Sequence, residues 1–341
     1  VEQSTEGWAA ALVAVAMSME NTSISSGAIA ALARSSKDVE QYLKDEVINT
    51  WRYEKKVFAM KTCILDTLSE DICDAVTGDG NAAKMLAEIS EASGFLVSLD
   101  DKYQEYRYHH LFQSFLQKQL LGEAVFEVSN LHIRAGAWYQ NHGLFDKAIE
   151  HFLNGGSFQE ALDLIERVSG DLINRNDYMT LLDWIEQLPD AYRDNSYRVA
   201  FVYAMYHAEM NKFDLAWKWI TKMETLEAED SVISDNVLSA GSVSALVKVN
   251  VFFREGKIEA LLDLIQSAAM QNAGSNRRMS EYMDINLTDI YFYRCPANQF
   301  VRFYGKNLTK FHDFIRDYRG MISINPGYSY LVAGEYLYEN N

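Results

Sequence analysis

Three prolines in 341 residues, Pro189, Pro296 and Pro326, leave long stretches in which no residue is barred from donating its backbone N–H to a helix. Apolar residues recur mostly at spacings of three and four, and the two facts together predict a mainly helical protein. Cysteine is equally sparse: Cys63, Cys73 and Cys295 are odd in number, far apart, and without the C-x-x-C or Cys/His spacing that a zinc site requires. No metal site is expected, and a reducing cytoplasm is the expected compartment. No run of about eighteen uncharged apolar residues occurs. The apolar run from Trp8 to Met17 is Ala-rich and too short to span a bilayer, and no cleavable leader pattern opens the chain, so no membrane association is expected. Positive charge is also in deficit, with 31 Lys and Arg against 48 Asp and Glu and a formal charge of −17. Such a field repels phosphate backbones and anionic lipid, which argues against nucleic-acid binding by this chain alone.

What is present has an order. Thr5 to about Arg34 reads as two helices separated by Glu20-Asn21-Thr22-Ser23, and an amphipathic segment follows from Asp38 to Thr50. The pattern then predicts helices at about Glu54–Thr62, Ser69–Val76 and Asn81–Ala92. Phe95-Leu96-Val97-Ser98-Leu99, the polar turn Asp100-Asp101-Lys102 and Tyr106-Arg107-Tyr108 suggest a short β-hairpin. Tyr106-Arg107-Tyr108-His109-His110-Leu111-Phe112 opens a further helix ending near Leu120. Three helices and a two-stranded wing make a winged helix. Its third helix, Ala82 to Glu91, offers one lysine against two glutamates and no array of Arg, Asn or Gln for base edges, which speaks against reading DNA.

After Gly122 a helix-turn-helix punctuation recurs at Gly143-Leu144-Phe145-Asp146-Lys147-Ala148, Gly156-Ser157-Phe158-Gln159-Glu160-Ala161, Asn211-Lys212-Phe213-Asp214-Leu215-Ala216 and Gly256-Lys257-Ile258-Glu259-Ala260-Leu261. The first residue turns the chain, the apolar one packs back, and the alanine admits the antiparallel partner. The copies are irregularly spaced and read as diverged tetratricopeptide-like (TPR-like) repeats, best formed around Gly136, Tyr139, Gly143 and Phe152. In such a solenoid the first helix of each pair lines the concave side. That places Asn130, Ile133, Ala137 and Gln140 of one pair, and Arg198, Phe201, Met205 and Glu209 of another, in a candidate ligand groove. Tyr203 and His207 fall at packing positions. Arg302 to Arg319 gathers five cations interrupted by Asp313 and Asp317, and reads as a solvated helix face. Gly334 to Asn341 resembles the end of a first helix with no polar cap after it, so the sequence is expected to be a piece of a longer protein.

No residue constellation points to catalysis. His132, His142 and His151 are scattered over different helices, there is no H-E-x-x-H or G-x-S-x-G, and Glu227, Glu229 and Asp230 sit in a polar stretch between repeats. Gly78-Asp79-Gly80 lacks the lysine and hydroxyl of a P-loop. This chain is expected not to be an enzyme and to carry no cofactor of its own.

Three landmarks in order, Thr5-Glu6-Gly7-Trp8-Ala9-Ala10-Ala11-Leu12, then Tyr106 to Phe112, then Ala137-Trp138-Tyr139-Gln140-Asn141-His142-Gly143, resemble the middle of a MalT-like, ATP-dependent regulator of the LuxR superfamily and STAND class. The resemblance covers essentially the whole chain. It implies a helical segment 1–36 continuing from an ATPase domain, a winged-helix arm over 37–122, and a TPR-like sensor domain over 123–341. It further implies a parent that binds ATP or ADP with Mg and hydrolyses ATP slowly, contacts DNA through a helix-turn-helix after the repeats, and self-associates when a small-molecule or protein inducer opens it. Gly7 would lie beside the adenine, although Ala9 stands where relatives have proline, and the same residues also fit a plain amphipathic helix. His109 would touch the ADP phosphate, an imidazole at a helix N-terminus being a good phosphate donor. The residue after it is His110 where relatives have aspartate, and His109 also fits a role in capping or packing. A different class of function, a stand-alone TPR-like scaffold binding a protein or peptide, remains open.

Overall fold

In the computed structural model, the described residues are 40–41, 43–91, 95–99, 104–122, 127–229, 240–255, 257, 259–260 and 263–264. Several features read from the sequence lie outside them: the segment 1–36 with Gly7, Gly256 and Ile258 of the fourth repeat turn, the basic stretch 302–319, and the end of the chain. The molecule divides into two compact units, Val1–Ala161 and Leu162–Asn341.

In the first unit, helical turns at Leu43–Val47 and Ile48–Thr50 lead into α1 (Tyr53–Thr62), α2 (Glu70–Thr77) and α3 (Ala82–Glu91). Strands β1 (Leu96–Ser98) and β2 (Tyr106–Tyr108) pair antiparallel with Leu96 opposite Tyr108 and Ser98 opposite Tyr106, and α4 (His110–Gly122) follows. This is a winged helix. Leu68 extends the wing by exchanging backbone hydrogen bonds with Tyr106 at 2.7 and 2.9 Å.

The helices stand where the periodicity places them because each buries one stripe. Ile72 and Val76 of α2, Met85 and Ile89 of α3, and Phe112, Phe115 and Leu116 of α4 are all buried. Trp51, Phe95 and Phe112 form an aromatic cluster with ring centroids 4.6 to 5.7 Å apart. Several polar groups inside are matched. Thr62 and Tyr108 share a buried hydroxyl hydrogen bond of 2.8 Å, and Gln113 and Gln117, one turn apart on α4, donate to the carbonyls of Cys63 and Leu65. Gly78 ends α2 in the left-handed region at φ 75°, where a side chain would be strained.

Helices α5 (Val128–Asn141) and α6 (Phe145–Gly155) form a tight pair. A Cβ at Gly136 would lie 2.8 Å from the Phe152 ring, and one at Gly155 would lie 3.0 Å from Ile133 Cγ1, so only glycine permits this approach. Within the same unit α5 packs on α2.

Helix α7 (Phe158–Asn174) crosses the division between the units. The second unit continues with α8 (Tyr178–Gln187), a short α9 (Asp190–Arg193) entered from Pro189, α10 (Tyr197–Glu209), α11 (Phe213–Glu229) and α12 (Ala240–Glu255). Asp177 caps α8 and Ser196 caps α10, accepting from Thr180 N at 3.4 Å and Val199 N at 3.1 Å. Asn211 takes the left-handed turn position between α10 and α11 at φ 55°, and Ala208 and Ala216 are fully buried beside that turn. The architecture is therefore mainly α: a winged helix with a short hairpin, followed by helical repeats.

Candidate functional site

Four places carry the residues singled out by the sequence. The first is α3, the helix that reads bases in DNA-binding winged helices. Arg52 reaches Glu88 at 2.7 Å and Lys55 Nζ donates to the Glu88 carbonyl at 2.8 Å, while Lys55 also sits 4.3 Å from the Trp51 ring centroid. The cations beside α3 are thus turned onto its own acidic end. Its remaining outward positions, Ala83, Lys84, Ala87 and Glu91, present little that could read a base edge.

The second is His109. It is 4 % exposed and joins the wing to α4, its N–H donating to Phe95 O and its carbonyl accepting from Gln113 N, both at 2.9 Å. The ring lies against His110 with centroids 4.8 Å apart. His109 stands immediately before α4, and its ring is enclosed by the arm.

The third is the pair of candidate groove faces. On α5, Asn130 and Gln140 are exposed and Ile133 and Ala137 half-buried, with Ile133 lying against Gly155 of α6. On α10 the expectation is corrected. Phe201, Met205 and Glu209 are 5, 4 and 6 % exposed, and only Arg198 keeps a partly open surface, its guanidinium 5.4 Å from the Tyr197 ring. The cause is α12, which lies on this face. Asn250 Nδ2 approaches Met205 Sδ at 3.7 Å, Arg254 pairs with Glu209 at 2.6 Å, and Arg254 Nε donates to Asn250 Oδ1 at 2.9 Å. Sequence reasoning missed this buried polar network. Its trace was available: a glutamate completing the i, i+4, i+8 stripe Phe201, Met205, Glu209, and Asn250 and Arg254 one turn apart downstream. Tyr203 and His207 pack as expected. Tyr203 stacks on Trp219 at 4.4 Å and its hydroxyl donates to Glu186, and burial raises the pKa of that phenol.

The fourth is the α5–α6 seam, where His132 and His151 meet, Nδ1 to Nδ1, at 2.9 Å. The sequence reading left these two histidines scattered, because their separation in the chain matches no ligand motif. Among the described residues no cluster of three or more His, Cys, Asp or Glu could hold a metal ion. Cys63 and Cys73 are buried thiols, both pushed up to about 12 by desolvation. No helix among the described residues is long and apolar enough to cross a membrane.

The fold is a winged helix followed by helical pairs. Residues 44–126 match the family model described as the MalT winged helix domain. The chain is also similar to the serine/threonine-protein kinase PknK. It is 29% identical over 186 residues to PknK from Mycobacterium tuberculosis strains CDC 1551 / Oshkosh and ATCC 25618 / H37Rv and from Mycobacterium bovis strain ATCC BAA-935 / AF2122/97. The match covers 54% of this chain and 17% of those relatives' length, so the region shared is more than half of this chain and a small part of those relatives.

Proposed function

We propose that this chain is the arm and signal-sensing portion of an ATP-dependent, LuxR-type transcription activator. An inducer, a small molecule or a protein, binds the helical repeats, and the arm relays that binding to an ATPase domain and a helix-turn-helix DNA-binding domain elsewhere in the parent. The observation that carries this reading is the coincidence of a MalT winged helix domain at 44–126 with a helical pair seated on α2 of that same arm. The relay is a population shift: an inducer that binds one arrangement of the repeats more tightly biases the arm by that difference in affinity and no more. The activated parent self-associates, and the chain itself works in the cytoplasm without catalysis.

The residues in hand do not by themselves make a nucleotide site. His109 is the one described candidate, its ring is enclosed, and the chain has no P-loop sequence. ATP or ADP with Mg would therefore be held mainly by the ATPase domain of the parent, with His109 and Gly7 as contacts at its edge.

Thermal unfolding of the chain across a panel of metabolites tests the sensor reading. A compound at a hundredfold its dissociation constant adds about 2.7 kcal/mol of stability. A panel without any shift would turn the search to a protein inducer or to a scaffold role. A second reading is favoured by the similarity to a serine/threonine-protein kinase: the same arm and repeats would serve an output other than DNA binding. The parent gene decides between them, since a helix-turn-helix after this segment supports the activator and a kinase domain before it supports the second reading.

A further inference from the structure

The histidine pair of the α5–α6 seam has no role in that reading and a specific chemistry of its own. His132 comes from α5 and His151 from α6; their rings lie 5.1 Å apart, and His151 is 8 % exposed and stacks on Tyr139 at 5.3 Å. An Nδ1 to Nδ1 contact of 2.9 Å is a hydrogen bond only if one ring carries its proton on Nδ1 and the other carries its proton on Nε2. The pair therefore holds one proton between the two facing nitrogens. With a proton on each Nδ1, two N–H groups and two positive charges face each other.

The backbone gives the rings little room to avoid this. A Cβ at Gly155 would sit 3.2 Å from His132 Cβ and 3.1 Å from Ser129 O, so the helices touch beside the pair. We propose that His132 and His151 form an acid-opened latch, closing the α5–α6 seam while they share one Nδ1 proton and parting the two helices when both Nδ1 atoms are protonated.

Among the surrounding charges, one acts in the same sense on His151. Lys147 of α6 stands 5.4 Å from the Tyr139 ring and disfavours a proton on His151. Arg134 of α5 is directed to Val76 O, and Asp66, Cys73 and Glu150 bear on the Tyr139 hydroxyl. Burial above all, then His132 and Lys147, holds His151 down at about 4, and burial lowers His132 as well. A histidine whose folded pKa is depressed contributes its stability above the ordinary value of 6.5. That contribution is lost as pH falls from 6.5 toward 4.

Ring-15N spectra of the histidines in the full chain test the latch directly. At about pH 7 the expected result is one ring protonated on Nδ1 and its partner on Nε2, with both rings titrating below the usual histidine range. Thermal melting supplies the second measurement: His151→Phe, which keeps a ring against Tyr139, is expected to lose less melting temperature on acidification than the parent chain. His132→Asn removes the facing imidazole and guards against failure of the first variant to fold, with a smaller acid loss expected because a protonated His151 Nδ1 then meets no second cation and can donate to the amide oxygen. Matching tautomers on the two rings, titration at the ordinary histidine value, or equal acid sensitivity in the parent chain and a folded variant would overturn the proposal.

Discussion

Arg134, on the first helix after the arm, donates a hydrogen bond at 3.2 Å to the carbonyl of Val76 in the last turn of α2. Lys61 donates to the next carbonyl, that of Thr77, also at 3.2 Å, and pairs with Asp79 at 3.1 Å. Two cations thus meet the negative end of one helix, a favourable placement for both the orphan carbonyls and the helix dipole. Arg134 is a polar tie between the winged helix and the first helical pair. Its replacement by alanine is expected to cost about 1 kcal/mol, the usual net worth of such a bond. Chemical denaturation of the parent chain and of Arg134→Ala measures it, and Arg134→Lys should recover part of the loss.

The Glu209–Arg254 pair is buried on both sides, at 5 and 6 % side-chain exposure. Removing one partner leaves the other charge without its counterion in the interior, at a cost of about 3–5 kcal/mol. Arg254→Met alone should therefore unfold at much lower denaturant than the parent chain. The double variant Glu209→Leu with Arg254→Met should regain most of the loss, and a double variant as unstable as the single would show that the pair itself is not the source.

Gly136 faces the Phe152 ring so closely that an added Cβ would lie 2.8 Å away. Gly136→Ala is expected to destabilise the α5–α6 pair by about 1–3 kcal/mol through overpacking. Gly143→Ala acts differently, since Gly143 sits at φ 73° in open space and the cost of about 1 kcal/mol is backbone strain alone. A smaller residue at position 152 should rescue Gly136→Ala and leave Gly143→Ala unchanged, and melting curves of the combinations separate the two.

Cys63 and Cys73 are pushed up to about 12 by burial, which leaves almost no thiolate at neutral pH. In a Cys295→Ser chain both thiols should react with a thiol reagent far more slowly than a free cysteine, and at the normal rate once denatured. Fast labelling of the folded chain would contradict the burial of this part of the arm.

How far the sequence alone carries can be read from the arm and from α10. The three helices of the arm and its hairpin follow from apolar stripes, the glycine at position 78 and a polar stretch between two aromatic runs, all of which act over a few residues. The same holds for the turns at Gly143, Gly156 and Asn211. Groove residues were less legible. The stripe Phe201, Met205, Glu209 identifies one face of α10 correctly, yet nothing near it in the chain states whether that face is open.

The residues by themselves determined a mainly helical chain, a winged helix whose third helix carries one lysine against two glutamates, and antiparallel helical pairs, because hydrogen-bond periodicity and turn chemistry are local. Tertiary structure decided which of those faces are covered. Arg254 closes over Glu209 from 45 positions away, and His132 meets His151 only because Gly155 lets two helices touch. Burial and partner choice depend on what the folded chain brings alongside, and no local pattern in the sequence specifies that neighbour.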